Sequence, residues 1–293
     1  MVDLEKLRER AAIIQAVRSF FISREYLEVQ TPVRLPAIAP EPWIEPLTSE
    51  GQFLQTSPEL CMKRLLSAGA ERVFQICPCF RKGERGRLHL SEFTMLEWYR
   101  AGAEYSSLMT ECEEMVRFVA ADFDPAIVKD WGDPWPRITV AEAFRQYCRI
   151  SVDEALATDM FEESLVEEIE PALAAGGPVF LYDYPASQAS LARLRKDNPE
   201  VAERFELYID GIEIANGFSE LTDREEQHQR FSRDRELIQA SGRKPGPFPG
   251  NFIEELSRMP EAAGIALGLD RLVMVLTGSG SIDEVVSFTP EEL

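Results

Sequence analysis

Apolar residues recur every three or four positions along several stretches of the chain, which is the period of an amphipathic helix. The clearest stretch covers residues 3–23, where six side chains would share one face: Leu4, Leu7, Ala11, Ile14, Val17 and Phe21. The pattern also predicts helices over residues 60–68, 106–121, 140–147, 162–174, 222–241 and 270–276. The highly charged stretch 222–241 is expected to expose much of its surface to solvent.

Alternating or continuous apolar runs predict strands at 26–29, 73–81, 93–99, 179–184, 205–209, 212–218 and 265–269. The dipeptide Asp210-Gly211 between two of these runs is a strong hairpin signal. The proline-rich, aperiodic stretch 34–51 predicts a loop. Because strands follow one another along the chain with helices outside them, we expect an α+β fold with a mainly antiparallel sheet, in one domain covering 1–293.

Composition narrows the class of protein. The 293 residues are 45% apolar and 28% charged, as in ordinary globular proteins. No apolar run is long enough to span a membrane, and the N-terminus lacks the apolar core of a secretory signal. The chain has 31 basic and 51 acidic residues, a net charge of −20, which disfavours free nucleic acid as a partner and fits a basic protein better.

Cysteine usage points to a reducing compartment. Five cysteines are an odd number without the spacing of a disulfide framework, so we interpret them as reduced thiols in the cytoplasm. With only two histidines in the chain, a zinc site would lack ligands. The close pair Cys77-Pro-Cys79 is interpreted as small residues on a buried strand.

Residues 80–99 carry the first candidate chemistry. A predicted strand ends in Arg81, a polar loop carries Arg85, Arg87 and His89, and the next strand begins at Phe93. A guanidinium group bonds two phosphate oxygens at once, and an aromatic ring can stack on a base. The alternative is a basic hairpin on the surface.

Residues 213–220 place two carboxylates and an amide in an apolar strand: Glu213, Asn216 and Glu220. Buried carboxylates are costly unless they are paired or bind a metal, and oxygen ligands suit Mg²⁺. Strict alternation puts Glu213 on the opposite face from the other two. If all three converge, a bulge is needed, and we expect it at Asn216-Gly217. The alternative is an edge strand with solvated glutamates.

Two further segments could bind ligands. Gly264 and Gly268 allow a ligand to approach a strand closely, and Arg271 opens a helix whose N-terminus favours anions. Ser57, Pro58 and Glu59 lie at the start of the helix predicted at 60–68, where the carboxylate could bind an ammonium group or serve only as part of a cap. No glycine-rich phosphate loop is present, so two arginines and carboxylate-held magnesium would have to hold any nucleotide phosphates.

Together these segments resemble the class II aminoacyl-tRNA synthetases of the lysyl type. Phe80-Arg81, His89 and residues 91–99 resemble the second signature motif, and Gly268-Leu269-Asp270-Arg271 resembles the third. The predicted helix, strand and Pro32 at the start resemble the first motif, which builds the dimer interface in that family. Residues 213–220 are similar to the magnesium and lysine segment of lysyl enzymes.

Two shorter segments, 62–66 and 185–192, are similar to the elongation factor P β-lysine ligase family, paralogs of lysyl-tRNA synthetase. The first motif begins at residue 3, so we expect no anticodon-binding domain. The resemblance implies ATP-dependent activation of (R)-β-lysine or lysine and transfer to a lysine ε-amino group of elongation factor P. It also implies ATP and Mg²⁺ as cofactors, a homodimer, a cytoplasmic location, no membrane, and tRNA as an unlikely partner.

The resemblance implies roles for individual residues. Arg81 and Arg271 would be catalytic, contacting the α- and γ-phosphates. His89 would reach the phosphates and Phe93 would stack on adenine. The other ATP-binding residues would be Lys82, Gly83, Glu84, Leu90, Glu213, Ile214 and Gly268. The amino-acid pocket would contain Ser57, Pro58, Glu59, Tyr99, Asn216, Glu220 and Ala266. Magnesium would be held by Glu213 and Glu220.

The sequence departs from the family pattern at three places. Gly83 stands where the second motif usually has glutamate, and Glu84 follows one position later. Leu90-Ser91 replaces a frequent Asn-Pro. Ala266 stands where lysyl-tRNA synthetases usually have glycine, and one methyl group can change discrimination by about 1–3 kcal/mol. We therefore predict that Ala266 helps to select β-lysine over α-lysine.

Two alternative functions stay open from the sequence. One is a stand-alone amino-acid-activating or tRNA-aminoacylating enzyme. Net charge does not separate it from the ligase, because an acidic acceptor protein meets the same repulsion as tRNA. The other is a regulatory paralog that binds an amino acid or nucleotide without catalysis. The retained arginines and carboxylates argue against this binding module, while Gly83 argues mildly for it.

Overall fold

The computed structural model describes residues 3–129, 131–174 and 176–293. Its α-helices are α1 (Leu4–Ser23), α2 (Glu59–Ser67), α3 (Tyr105–Phe123), α4 (Val140–Tyr147), α5 (Val152–Ala157), α6 (Phe161–Ser164), α7 (Glu170–Leu173), α8 (Arg224–Ala240), α9 (Gly250–Leu256) and α10 (Leu269–Leu276). Within the same ranges, no helix combines the length and apolar character needed to cross a bilayer.

The strands are β1 (Leu27–Glu28), β2 (Arg34–Leu35), β3 (Thr48–Ser49), β4 (Gln52–Leu54), β5 (Arg72–Phe80), β6 (Glu92–Ala101), β7 (Arg137–Thr139), β8 (Val179–Pro185), β9 (Val201–Ile209), β10 (Ile212–Ser219) and β11 (Ala262–Gly268). Eight of them form one sheet in the order β1-β5-β6-β11-β10-β9-β8-β7. Only the outer pairs, β1 with β5 and β7 with β8, are parallel. The predicted α+β fold with a mainly antiparallel sheet is therefore confirmed.

Helix α1 forms because its sequence supplies both a cap and an apolar face. The Asp3 carboxylate accepts hydrogen bonds from the backbone N–H groups of Glu5 and Lys6, which satisfies donors that have no partner inside the helix. Its buried face includes Phe21, whose ring stacks on Phe74 of β5 with centroids 4.9 Å apart. The helix is thereby fixed against the sheet at the β1 edge.

The central sheet is covered on both faces, as alternation along its strands shows. The paired residues Phe74 and Trp98 pack in the same cluster as side chains of α1 and α3. The adjacent pair, Val73 and Tyr99, points to the opposite face and packs with residues of α2, α8 and α9. The second layer leaves a cavity over the middle strands.

Several element predictions need correction. The stretch 34–51 is not only loop, since β2 and β3 lie in it and pair with β4 in a small antiparallel sheet. Two-residue strands are too short to produce a periodic pattern. The helix predicted over 162–174 is interrupted by a turn of π-helix at Leu165–Ile169. Elements α5, α9 and β7 were missed because each is short, with at most seven residues.

Candidate active site

The cavity of about 280 Å³ lies over β6, β11 and β10, where strand register brings distant segments into rows. Glu97, Ala266 and Asn216 stand opposite one another across these strands. The next row on the same face consists of Tyr99, Gly264 and Phe218. Every one of these six residues lines the cavity, so its floor is set by backbone pairing.

Most residues predicted from the sequence meet in this cavity. Those that line it are Ser57, Glu59, Arg81, Glu84, His89, Leu90, Phe93, Tyr99, Glu213, Ile214, Asn216, Ala266, Gly268 and Arg271. Four predicted residues are not part of the lining: Pro58, Lys82, Gly83 and Glu220. The two arginines predicted to be catalytic thus face one space although 190 positions separate them in the chain.

Arg271 is held in place at one end of the cavity. Its Nη1 donates to the backbone oxygen of Glu213 at 2.8 Å and to Oε2 of the same residue at 3.1 Å. Its Nη2 lies 2.7 Å from Nε2 of His89. Burial and the Arg271 charge lower the pKa of His89, which favours neutral imidazole as a hydrogen-bond partner. The guanidinium is therefore positioned before any ligand arrives.

Arg81 approaches the cavity from the end of β5. Its guanidinium carbon lies 5.1 Å from the centroid of the Phe93 ring. Its Nη1 lies 3.8 Å from Oε1 of Glu84, and its buried Nε has no hydrogen-bond partner within the described residues. An unpartnered buried N–H is costly unless a ligand accepts from it. This donor is therefore available to an anionic ligand.

The structure explains the departure at Gly83. Gly83 has φ +79°, a left-handed conformation in which a glutamate side chain would be strained. Glu84 lines the cavity instead, next to Arg81. Lys82 points away from the site, where its Nζ lies 2.5 Å from Oε1 of Glu45.

The opposite end of the cavity is acidic. Glu97 is 1% exposed, and its carboxylate accepts hydrogen bonds from Ser57 Oγ at 2.6 Å and Tyr99 OH at 2.9 Å. Burial and the neighbouring charge of Glu59 raise the pKa of Glu97 to about 8. Burial raises the pKa of Glu41 to about 7, against the lowering effect of Arg81. These carboxylates would gain most from a cationic ligand.

A buried lysine supports this acidic end. Nζ of Lys63 lies 2.5 Å from carboxylate oxygens of both Glu59 and Glu220. Burial alone would lower the pKa of Lys63, but the two glutamates raise it, so the ammonium stays charged. Lys63 thereby positions Glu59, which lines the cavity. The Lys63 side chain was not among the residues predicted to have a role.

That Glu213 and Glu220 share magnesium stays a prediction, and the structure gives the two carboxylates different partners. Glu220 is 1% exposed and paired with Lys63, while Glu213 lies beside Arg271 at the other end of β10. Glu206 of β9 has a pKa that is raised by burial and by the charge of Glu213, despite the opposing effect of Arg204. Within the described residues, no group of three or more acidic, histidine or cysteine side chains could enclose a metal ion.

The expected bulge exists, but it lies at Ile214, two residues before Asn216. The register of β10 against β9 shifts between Glu213 and Ala215, so Ile214 is the extra residue. Glu213 pairs with Tyr208 and Asn216 with Glu206, which places Glu213 and Asn216 on the same face. The bulge is what allows both side chains to line the cavity.

Glu41, Glu97 and Phe218 are among the lining residues that sequence reasoning missed. Glu97 stands two positions before Tyr99, so alternation would have placed it on the same face. Glu41 gave no comparable signal, because it belongs to the aperiodic stretch 34–51. Gly264 also proves essential, since a Cβ atom there would collide with the Tyr99 ring and with Oε1 of Glu220.

Comparison with known proteins agrees with this architecture. A family model described as tRNA synthetases class II (D, K and N) matches residues 3–292. The chain therefore belongs to the class II aminoacyl-tRNA synthetases.

Individual relatives of the chain define a narrower family within this class. Elongation factor P--(R)-beta-lysine ligases of Salmonella paratyphi B (strain ATCC BAA-1250 / SPB7) and Salmonella schwarzengrund (strain CVM19633) are each 38% identical over 311 positions, covering 98% of this chain and 95% of the relative. The ligase of Salmonella arizonae (strain ATCC BAA-731 / CDC346-86 / RSK2980) is 39% identical over the same shares. The chain belongs to this ligase family, as its sequence indicated.

Proposed function

We propose that this protein activates (R)-β-lysine, or lysine, with ATP and joins the resulting acyl group to a lysine ε-amino group of elongation factor P. The observation that carries the proposal is the division of one cavity into two ends of opposite charge. Arg81 and Arg271 offer guanidinium groups to phosphates, while Glu41, Glu59 and Glu97 offer carboxylates to ammonium groups. A substrate with amines and a carboxylate can therefore bind in only one direction.

In the first step, a carboxylate oxygen of the amino acid attacks the α-phosphorus of ATP in line. An oxygen–phosphorus bond forms, the bond to the β-phosphate bridging oxygen breaks, and pyrophosphate leaves. The residues of the cavity form no covalent bond. Arg81 stabilises charge on the α-phosphate, Arg271 binds the γ-phosphate, and Phe93 stacks on adenine.

In the second step, the neutral ε-amine of the acceptor attacks the carbonyl carbon of the mixed anhydride. A carbon–nitrogen bond forms, the bond to the AMP oxygen breaks, and the nitrogen loses a proton to give the amide. The acidic end keeps the acyl group in place during both steps, because the carboxylates continue to bind its ammonium groups.

Magnesium fits the phosphate end of the cavity. Glu213 offers an oxygen ligand beside Arg271, and Mg²⁺ is usually bound by one or two carboxylates together with substrate phosphates. The ion would neutralise phosphate charge as pyrophosphate leaves. Glu206 of β9 is a second carboxylate whose charge interacts with that of Glu213, and it accepts hydrogen bonds from the hydroxyl groups of Tyr184 and Tyr208 at 2.6 and 2.7 Å.

A homodimer that uses α1 and β1 is part of the proposal. Strand β1 lies at the edge of the sheet, and Leu27 on this strand is 61% exposed, as is Ile22 nearby in α1 at 60%. Exposed apolar side chains beside an open edge favour pairing with another subunit. We expect Leu27→Glu to shift the protein from dimer to monomer in analytical ultracentrifugation, and an unchanged dimer would place the interface elsewhere.

The decisive experiment combines two assays. Pyrophosphate exchange with ATP and either lysine or (R)-β-lysine tests activation. To test transfer, the enzyme that holds the aminoacyl-adenylate is incubated with purified elongation factor P or with tRNA. The mass of each acceptor is then measured. We expect exchange that depends on the amino acid and acyl transfer to the protein. Exchange with transfer to tRNA alone would support aminoacylation, and no exchange would support a binding module.

A further inference from the structure

A second cavity of about 210 Å³ adjoins the active site and has a different character. It lies between the stretch 38–48 and the residues around the end of α8. Three cationic side chains line it: Arg235, Arg243 and Lys244. None of them is within 4 Å of a carboxylate oxygen among the described residues, in a chain with a net charge of −20. Three cations therefore outnumber the two carboxylates of the same lining, Glu41 and Glu45, beside the active site.

The two cavities share a wall. Glu41 and Ile44 line both of them, and they are the ends of a turn in which the backbone N–H of Ile44 donates to the oxygen of Glu41 at 3.4 Å. Trp43 stands in this turn and is 93% exposed. The turn thus contacts substrate space on one side and presents an indole to solvent on the other.

Arg243 holds this turn in position from the other side of the second cavity. Its guanidinium donates to the backbone oxygens of Pro42 and Ile44, the residues on either side of Trp43. Lys82 holds the following residue, Glu45, through both backbone and side chain. The backbone that carries this exposed ring is therefore held in place before binding, which lowers the entropy cost of forming an interface.

Lys244 completes the surface. It is exposed, and no hydrogen bond or ion pair holds its ammonium group within the described part of the chain. Tryptophan and arginine are enriched at the centres of protein interfaces, and unpaired charges at their rims accelerate association with a partner of opposite charge. We call Trp43, Arg235, Arg243 and Lys244 the Trp43 surface.

We infer that the Trp43 surface docks the acceptor protein, through an acidic segment next to the lysine that is acylated. The inference rests on the proposed function. Its location fits, because a protein bound there would lie against the turn whose residues Glu41 and Ile44 line the active-site cavity. A protein segment fits better than tRNA, since four residues form a small local patch on an otherwise acidic molecule, whereas an RNA backbone would be repelled over its wider footprint.

Two variants test the inference without touching the lining of the active site. Trp43→Ala is expected to lower kcat/KM for elongation factor P about 10- to 30-fold, as for a residue at the centre of an interface. Lys244→Glu is expected to lower it about three- to tenfold and to flatten its decrease with salt concentration. Both should keep the pyrophosphate exchange rate and the KM for the amino acid of the unaltered protein.

Matched controls are available on distant elements. Phe118→Ala removes another exposed ring, on α3 in the other helical layer, and Arg149→Glu reverses an exposed charge beyond α4. Neither should change transfer. Unchanged kcat/KM for elongation factor P in both test variants overturns the inference, as does a loss confined to tRNA. Absence of exchange in the unaltered protein would instead overturn the proposed function, so the two failures are distinguishable.

Discussion

The two ends of the active-site cavity recognise charge in different ways. At the phosphate end, Arg271 is in contact with the partly exposed Glu213 and with His89. At the amino-acid end, Glu97 and Glu220 are almost completely buried, and burial raises the pKa of each to about 8. One end is cationic and partly open, whereas the other is acidic and enclosed.

This difference shows how a small cavity can orient its substrates. Triphosphate is large and highly charged, so a few arginines and a metal ion in a partly open site suffice to bind it. Each ammonium group of an amino acid carries only one charge. Its attraction to a carboxylate is stronger in surroundings of low dielectric constant than in water. Lys63 offsets part of the cost of keeping Glu59 and Glu220 together.

The largest effect is expected at the phosphate end. Arg81→Ala removes the guanidinium that we propose stabilises charge on the α-phosphate, and pyrophosphate exchange should fall about 10²- to 10³-fold. Arg87→Ala is a suitable control, because Arg87 belongs to the same loop but bonds only Gly280 among the described contacts and does not line the cavity. Near-normal exchange in the Arg81 variant would refute its assigned role.

A substitution at the acidic end should weaken binding of the amino acid without affecting binding of ATP. Gly264→Ala places a methyl group against the Tyr99 ring and Glu220, which must move apart. We expect the KM for the amino acid to rise about 5- to 150-fold, with little change in the KM for ATP, because overpacking costs about 1–3 kcal/mol and here acts on the amino-acid end. Gly250→Ala has free space around it and controls for the substitution itself. Equal increases in both KM values would contradict a division of the cavity.

Ala266 lies on the floor of the cavity between Glu97 and Asn216, so its side chain can affect which amino acid binds there. Removing its methyl group should change the preference for (R)-β-lysine over lysine by about tenfold, toward lysine. The ratio of the two exchange rates measures this preference. If Ala266→Gly leaves the ratio unchanged, substrate selection depends on other residues.

The smallest predicted effect concerns proton binding at Glu97. With a pKa of about 8, this carboxylate gains charge between pH 7 and 9, so its attraction for an ammonium group increases as pH rises. In Glu97→Gln that gain is lost. The ratio of the variant's KM to that of the unaltered protein should therefore rise about tenfold over this interval. Substrate ionisation cancels in the ratio, and a constant ratio would exclude titration of Glu97.

The sequence by itself determined the elements with a strong period and the residues close to the motifs. Helix α4 lies where the pattern predicted it, and Arg81, Phe93 and Arg271 line one cavity. These predictions succeeded because helical period, strand alternation and motif spacing are local properties of the chain.

Only the tertiary structure decided which charges become neighbours. Glu220 pairs with Lys63 of α2, and the bulge at Ile214 places Glu213 and Asn216 on the same face of β10. Trp43 likewise lies in a stretch without period, and its position depends on hydrogen bonds from Arg243, 200 residues away. Contacts between distant segments arise when the whole sheet packs. Local sequence patterns therefore do not predict them.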